Sequence, residues 1–227
     1  MVAGHFGFAQ IKGFIGVTGG GQFSNAYIEH TVYNTFMNTG FIPGYNAGMM
    51  LKLFTNQNQA SFLNAGVQTG LSLSRKGWRQ TFDTANVADY RVRMTYLNLP
   101  IEAFIYFGKR KTKPFFTLGM YVEYLTNVKK DPLPPVKLKS GAPKVGQEDF
   151  YTYESSRDRK FGYGVRVSVG VQREFSFGLI HLDGFFKYGI SNFLYTKDLS
   201  NRLPDISNFY VAGFTVGYLL PFGKMKF

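Results

Sequence analysis

Apolar and polar residues alternate with a period of two along most of this chain. The clearest stretch covers residues 208–222. There Tyr210, Ala212, Phe214, Val216, Tyr218, Leu220 and Phe222 share one face, and a smaller set centred on Gly213, Thr215 and Gly217 takes the other. A period of two over this length predicts a strand and not a helix. Aromatic residues at both ends of an otherwise aliphatic face are the pattern of a strand that meets lipid, with rings at the two headgroup levels.

The same alternation predicts strands over residues 11–22, 44–54, 61–74, 90–107, 115–126, 160–173 and 179–192. In the third of the eight, Leu63, Ala65, Val67, Leu71 and Leu73 oppose Asn64, Gly66, Gln68, Gly70 and Ser72. Pro100 inside the fourth predicts a local kink, because proline cannot donate to a ladder. Gly19, Gly20 and Gly21 lack the Gly-Lys-Ser/Thr ending of a phosphate loop and read as a flexible strand end. The connections, residues 25–43, 55–60, 75–89, 108–114, 127–159, 174–178 and 196–207, alternate long and short, and Trp78 falls in the third. An even strand number with alternating turns and loops marks a transmembrane barrel. Greek-key crossovers would break that alternation in a soluble sandwich. The expected fold is all-β: one eight-stranded antiparallel up-and-down transmembrane β-barrel over residues 11–227, in a bacterial outer membrane. Residues 1–10 read as a leader remnant, since Phe6-Gly7-Phe8-Ala9-Gln10 resembles the tail of a signal peptide.

Composition sharpens this picture in four places. Mean hydropathy of −0.13 looks like that of a soluble protein, but a barrel that alternates lipid-facing and interior residues averages out in the same way. No apolar run reaches the ~18–20 residues of a membrane helix. Cysteine is absent, which excludes disulfides and thiolate metal sites. The formal net charge of +12 invites a nucleic-acid reading, but the cations concentrate in connections, in residues 131–160 and at Lys109, Arg110, Lys111 and Lys113. Basic connections beside a membrane fit outer-membrane lipid, lipopolysaccharide or an acidic protein partner, so these four residues are candidates for partner docking and no nucleic acid is expected.

The interior face carries the candidate chemistry. An eight-stranded barrel is just wide enough for side chains to fill. Its inward set comprises Lys12, Lys52, Gln68, Glu102, Glu123, Arg166, His181, Asp183 and Lys187. Charges of both signs there must pair, because an unpartnered buried charge is costly. The expected role is a polar plug that holds strand register; a proton or ion path through Glu102, Glu123 and Arg166 is the sharper alternative. No serine is placed as a nucleophile beside His181 and Asp183. A glycosidase-like pair of Glu102 and Glu123 would face an interior closed to a glycan. Three scattered histidines make no metal site. A non-enzymatic protein without a cofactor is therefore expected.

Two resemblances extend the reading. Thr215, Gly217, Leu220 and Phe222 resemble the C-terminal targeting signal of outer-membrane barrels. Residues 66–77, Tyr96-Leu97-Asn98-Leu99-Pro100-Ile101-Glu102, residues 114–119 and the final glycine-aromatic strand together resemble the PorT-type outer-membrane barrel family. The Tyr-Leu-x-Leu-Pro strand is the most specific of these, and the loops are unmatched. The resemblance implies an accessory or structural barrel in an outer-membrane secretion or assembly complex, type IX secretion in particular, with no catalytic residues. The alternatives are a small transport or ligand-binding barrel, either a narrow channel or a pocket among Phe150, Tyr151 and Tyr153, and an adhesin that uses the same loops.

Overall fold

The computed structural model describes residues 10–31, 35–54, 62–81, 90–108, 110–131, 155, 158–195 and 205–226. Eight long strands dominate: β1 (Gln10–His30), β4 (Ile42–Phe54), β5 (Leu63–Gln80), β6 (Tyr90–Phe107), β7 (Thr112–Asp131), β8 (Phe161–Phe175), β9 (Gly178–Gly189) and β10 (Ile206–Lys226). Each pairs antiparallel with the next along the chain, and β10 returns to pair with β1, so the sheet closes into a barrel. Two short pieces, β2 (Thr35–Phe36) and β3 (Thr39–Gly40), fold back against the ends of β1 and β5.

The period of two positions everything else. Leu97, Leu99, Ile101 and Ile105 of β6, Leu118, Met120 and Val122 of β7, and Phe214, Val216 and Leu220 of β10 all point outward and are exposed. Their counterparts on the other five long strands complete a continuous apolar belt. On β6 the belt runs over residues 97–107. Eleven residues at ~3.3 Å each, tilted by roughly 45°, rise about 26 Å, which matches the apolar band of an outer-membrane barrel. Tyr45, Tyr163, Tyr188 and Tyr210 mark one rim, and Phe62, Phe107, Phe177 and Tyr218 the other. The rim with short connections is the periplasmic one, and the long connections lie outside.

Several strands extend well past the belt on the extracellular side, beyond their expected ends. β1 continues to His30, through residues expected to be loop, because Ser24, Ala26 and Ile28 keep the inward alternation. β5 continues to Gln80, so Trp78 lies fully buried on a strand and not in a connection. β7 reaches Asp131 after a bulge opposite Thr95 and Tyr96. β10 spans 206–226, longer than the expected 208–222. At Pro100 the β5–β6 register is the same on either side, so no residue is inserted, but the rungs between Thr69–Ile101 and Ser72–Asn98 are missing and the ladder is locally interrupted. The Pro100 carbonyl accepts a hydrogen bond from the Thr69 hydroxyl instead, at 2.7 Å.

The glycines expected to form a loose strand end instead sit in the middle of β1, at the closing seam. A Cβ on Gly20 would lie 1.8 Å from the Phe214 carbonyl oxygen, and one on Gly16 2.0 Å from that of Tyr218. Only the missing side chain lets β10 approach this closely and complete so narrow a barrel. Of the expected leader, residues 1–9 lie outside the described residues, while Gln10 pairs with Lys226 in the sheet.

Candidate functional site: the charged interior

Inside the barrel, polar and apolar residues are layered. Phe14, Phe54, Phe104, Tyr106, Phe115, Leu179 and Leu219 close the periplasmic end. Trp78, Tyr90, Val92, Met94, Tyr96, Phe193 and Phe209 form the core of the extracellular end. The charged residues lie between these layers, placed there by strand alternation.

The central cluster is built on Arg166 of β8. Its Nη1 donates to both oxygens of Glu102 on β6, at 2.6 and 2.7 Å, and its Nη2 donates to Asp183 on β9 at 2.9 Å. Gln68 on β5 donates to the same Glu102 carboxylate. The guanidinium also lies over the Phe185 ring, 4.8 Å from its centroid. One planar cation thus bridges three strands with two carboxylates, a geometry that suits arginine's rigid fork better than lysine's point charge. Lys52 of β4 donates to Gln172 at 3.0 Å and lies 2.9 Å from His181 Nδ1, with its ammonium over the rings of Phe104 and Phe115. An ammonium can only donate, so Nδ1 accepts and the ring hydrogen sits on Nε2, which faces Asp183 at 3.4 Å.

A second cluster lies nearer the extracellular side. Lys76 of β5 pairs with Glu123 of β7 at 2.5 Å, both buried, and its ammonium is 4.4 Å from the ring centroids of Tyr96 and Phe209. Sequence reasoning missed Lys76 by ending its strand at Ser74. The signal was present, because Ser72, Ser74, Lys76, Trp78 and Gln80 continue one alternating face. Lys187 donates to Asn98 at 3.4 Å and sits between the rings of Tyr121 and Phe185.

Eight of the nine expected interior residues are thus buried: Lys52, Gln68, Glu102, Glu123, Arg166, His181, Asp183 and Lys187. Lys12 is the exception. It is half-exposed at the periplasmic mouth and pairs there with Glu174. The proposed Glu102–Glu123–Arg166 path does not assemble, since Glu102 belongs to the Arg166 cluster and Glu123 to Lys76. Among the described residues, two voids touch the charged clusters. One of about 40 Å³ touches Asn98, Arg166 and Lys187, and one of about 10 Å³ touches Lys76 and Glu123. By volume they hold a few waters and one water respectively.

At the periplasmic turn, Arg110 and Lys111 are exposed, and Lys109 lies outside the described residues. Lys113 is half-buried, with its ammonium over the Tyr106 ring at 5.1 Å from the centroid. Of the C-terminal residues, Leu220 faces outward in the belt, and Phe222 packs over Gly13. Thr215 and Gly217 face inward. Phe150, Tyr151 and Tyr153 lie outside the described residues. Among the described residues, no group of three metal-ligating side chains gathers.

A family model described as an outer membrane protein beta-barrel domain matches residues 8–195. Similar solved structures include OprG from Pseudomonas aeruginosa, at 9% identity over 94% of this chain and 97% of that one, with a TM-score of 0.46. The outer membrane protease OmpT from Escherichia coli gives 9% identity, the same two coverages and a TM-score of 0.43. Ail, the attachment invasion locus protein of Yersinia pestis, gives 12% identity over 92% and 99%, with a TM-score of 0.38. No curated protein sequence matches this one.

Proposed function

Starting from a chain that belongs to the outer membrane protein beta-barrel domain family and resides in the bacterial outer membrane, we propose a non-enzymatic accessory or structural barrel that works within an outer-membrane secretion or assembly complex. The observation that carries this reading is the filled interior. Apolar layers at both ends enclose two sets of paired charges, and the voids that the described residues line beside those charges hold only a few waters. A barrel filled in this way acts through its surface. On the periplasmic rim the surface on offer is the basic turn, where Arg110 and Lys111 stand exposed and suit an acidic protein partner. The PorT-type resemblance supports type IX secretion as the setting.

The test is detergent affinity purification from native outer membrane, with mass spectrometry of whatever accompanies the barrel. Stoichiometric recovery with secretion or assembly subunits is expected. Substituting Arg110→Glu and Lys111→Glu should release them while the folded barrel persists. Recovery of the barrel alone, after crosslinking as well, overturns the reading. A second reading, a narrow channel or ligand-binding barrel, draws on the polar void beside Lys187. It requires measurable single-channel conductance or ligand uptake.

A further inference from the structure

The outer wall above the apolar belt differs sharply from one side of the barrel to the other. On β5, β6 and β7 the uppermost apolar row is Leu73, Leu97 and Tyr124, which are aligned across the three strands. The next outward row is Arg75, Thr95 and Asn127. Above it comes a row with Arg93 opposite Lys129, and then one with Arg79, Arg91 and Asp131 side by side. Successive outward rows are two residues, or about 6.7 Å, apart along a strand. Five cations therefore occupy three rows directly above the belt.

At the centre of this cluster the arrangement is unfavourable, since Arg93 faces Lys129 in direct cross-strand register. Like charges in that position repel. Among the described residues the one carboxylate in these rows is Asp131, 3.7 Å from Arg93. Arg91 and Lys129 are exposed, while Arg75 and Arg93 are half-exposed. On the opposite arc, β9, β10 and β1 carry Tyr188, Tyr210 and Asn25 in one row, Asn208 and Tyr27 in the next, then Ile206 and Glu29. Among the described residues, those rows of that arc have the ordinary aromatic and polar girdle and no cation. The basic cluster sits on three neighbouring strands, at the height where lipid headgroups begin.

We propose that the outer wall formed by Arg75, Arg91, Arg93 and Lys129 is a docking site for the phosphorylated glucosamine headgroup of lipopolysaccharide. The height selects a lipid anchored in the same leaflet, whose acyl chains lie along Leu73, Leu97 and Leu99 while its phosphates reach the cations. Three of the four are arginines, whose planar forks take phosphate oxygens two at a time. A bound phosphate also relieves the Arg93–Lys129 repulsion, so the site stabilises the barrel when occupied. The proposal rests on the outer-membrane placement and not on partner docking at the periplasmic turn, so either can fail alone.

The experiment uses the full chain, folded in detergent. Binding of bis-phosphorylated lipid A is compared with that of enzymatically dephosphorylated lipid A and of inorganic phosphate, by native mass spectrometry and by the thermal midpoint of the folded form. Saturable binding of the phosphorylated lipid is expected, at least tenfold tighter than the dephosphorylated one and weakened by salt. The triple variant Arg91→Gln, Arg93→Gln, Lys129→Gln should lose that preference while keeping its folded gel mobility. If that variant does not fold, Arg75→Gln with Lys129→Gln serves, and the two-lipid comparison on the unaltered protein stands by itself. Equal binding of the two lipids, or an undiminished preference in the folded variant, overturns the proposal. Full competition by millimolar inorganic phosphate also overturns it, by making the cluster a free-phosphate site.

Discussion

Replacing Arg166 by methionine keeps most of the side-chain volume and removes the cation that two buried carboxylates share. Glu102 then retains the Gln68 amide, and Asp183 the Thr215 hydroxyl and the long approach of His181 at 3.4 Å. Both carboxylates have no side-chain exposure to solvent, so water cannot replace the lost partner without opening the barrel. Deleting one partner of a buried ion pair costs about 3–5 kcal/mol. Because two carboxylates are stranded here, the upper part of that range applies, and about 4–5 kcal/mol corresponds to roughly three decades in the folding constant. The triple variant Arg166→Met, Glu102→Gln, Asp183→Asn removes all three charges and should recover at least about 2 kcal/mol of the loss, since neutral replacements of a buried triad are often harmless. The assay is reversible urea unfolding in lipid or detergent. It is followed by folded-band mobility and by the fluorescence of Trp78, the sole tryptophan, which lies fully buried against Phe193 and Phe209. A loss below about 1 kcal/mol for the single variant, or a triple variant no more stable than the single, would refute the claim that these residues form one coupled charge cluster.

Four further outcomes follow from the same geometry. Lys52→Met should change stability by no more than about 1 kcal/mol, because the direct partners of Lys52 are Gln172, His181 and two rings, and no carboxylate loses a direct ion pair when it is removed; the same urea titration measures it. Trp78→Ala should cost about 3–5 kcal/mol by opening a cavity in the extracellular core, read by folded-band mobility since the fluorophore is gone. Gly20→Val should prevent closure of the β1–β10 seam and leave only the unfolded band on an unheated gel, because even a Cβ there would overlap the Phe214 carbonyl. In planar bilayers the purified barrel should show no resolvable unitary conductance, and steady ion-selective openings would show that the interior is not plugged.

The local pattern specified the class of structure and much of the candidate interior. Alternation with a period of two is a property of neighbouring residues, so strand identity and the two faces of each strand were legible, as were the even count and the alternating connections. For the same reason eight of the nine interior residues could be named before any contact was known. The composition of each strand could not say where it stops. Beyond the membrane the outward face changes from leucine and valine to arginine, lysine and asparagine, as at Arg75, Asn127 and Lys129, and so looks like a loop. The strand persists there because its inward face, Lys76, Trp78, Tyr90, Val92 and Met94, still packs a core. Pairing among the charges was equally invisible. Glu102 and Glu123 look alike in sequence, and only the registers of β5 with β6, β6 with β7 and β7 with β8 give one to Arg166 and leave the other to Lys76. The glycines of β1 look like a hinge until β10 is laid against them. The basic wall on β5, β6 and β7 exists only as three strands in register, because its members lie up to 54 residues apart in the chain, from Arg75 to Lys129. Alternation acts between neighbours along the chain and can be read from it. Cross-strand register, which decides which buried charges meet and which exposed ones crowd together, is set when the barrel closes.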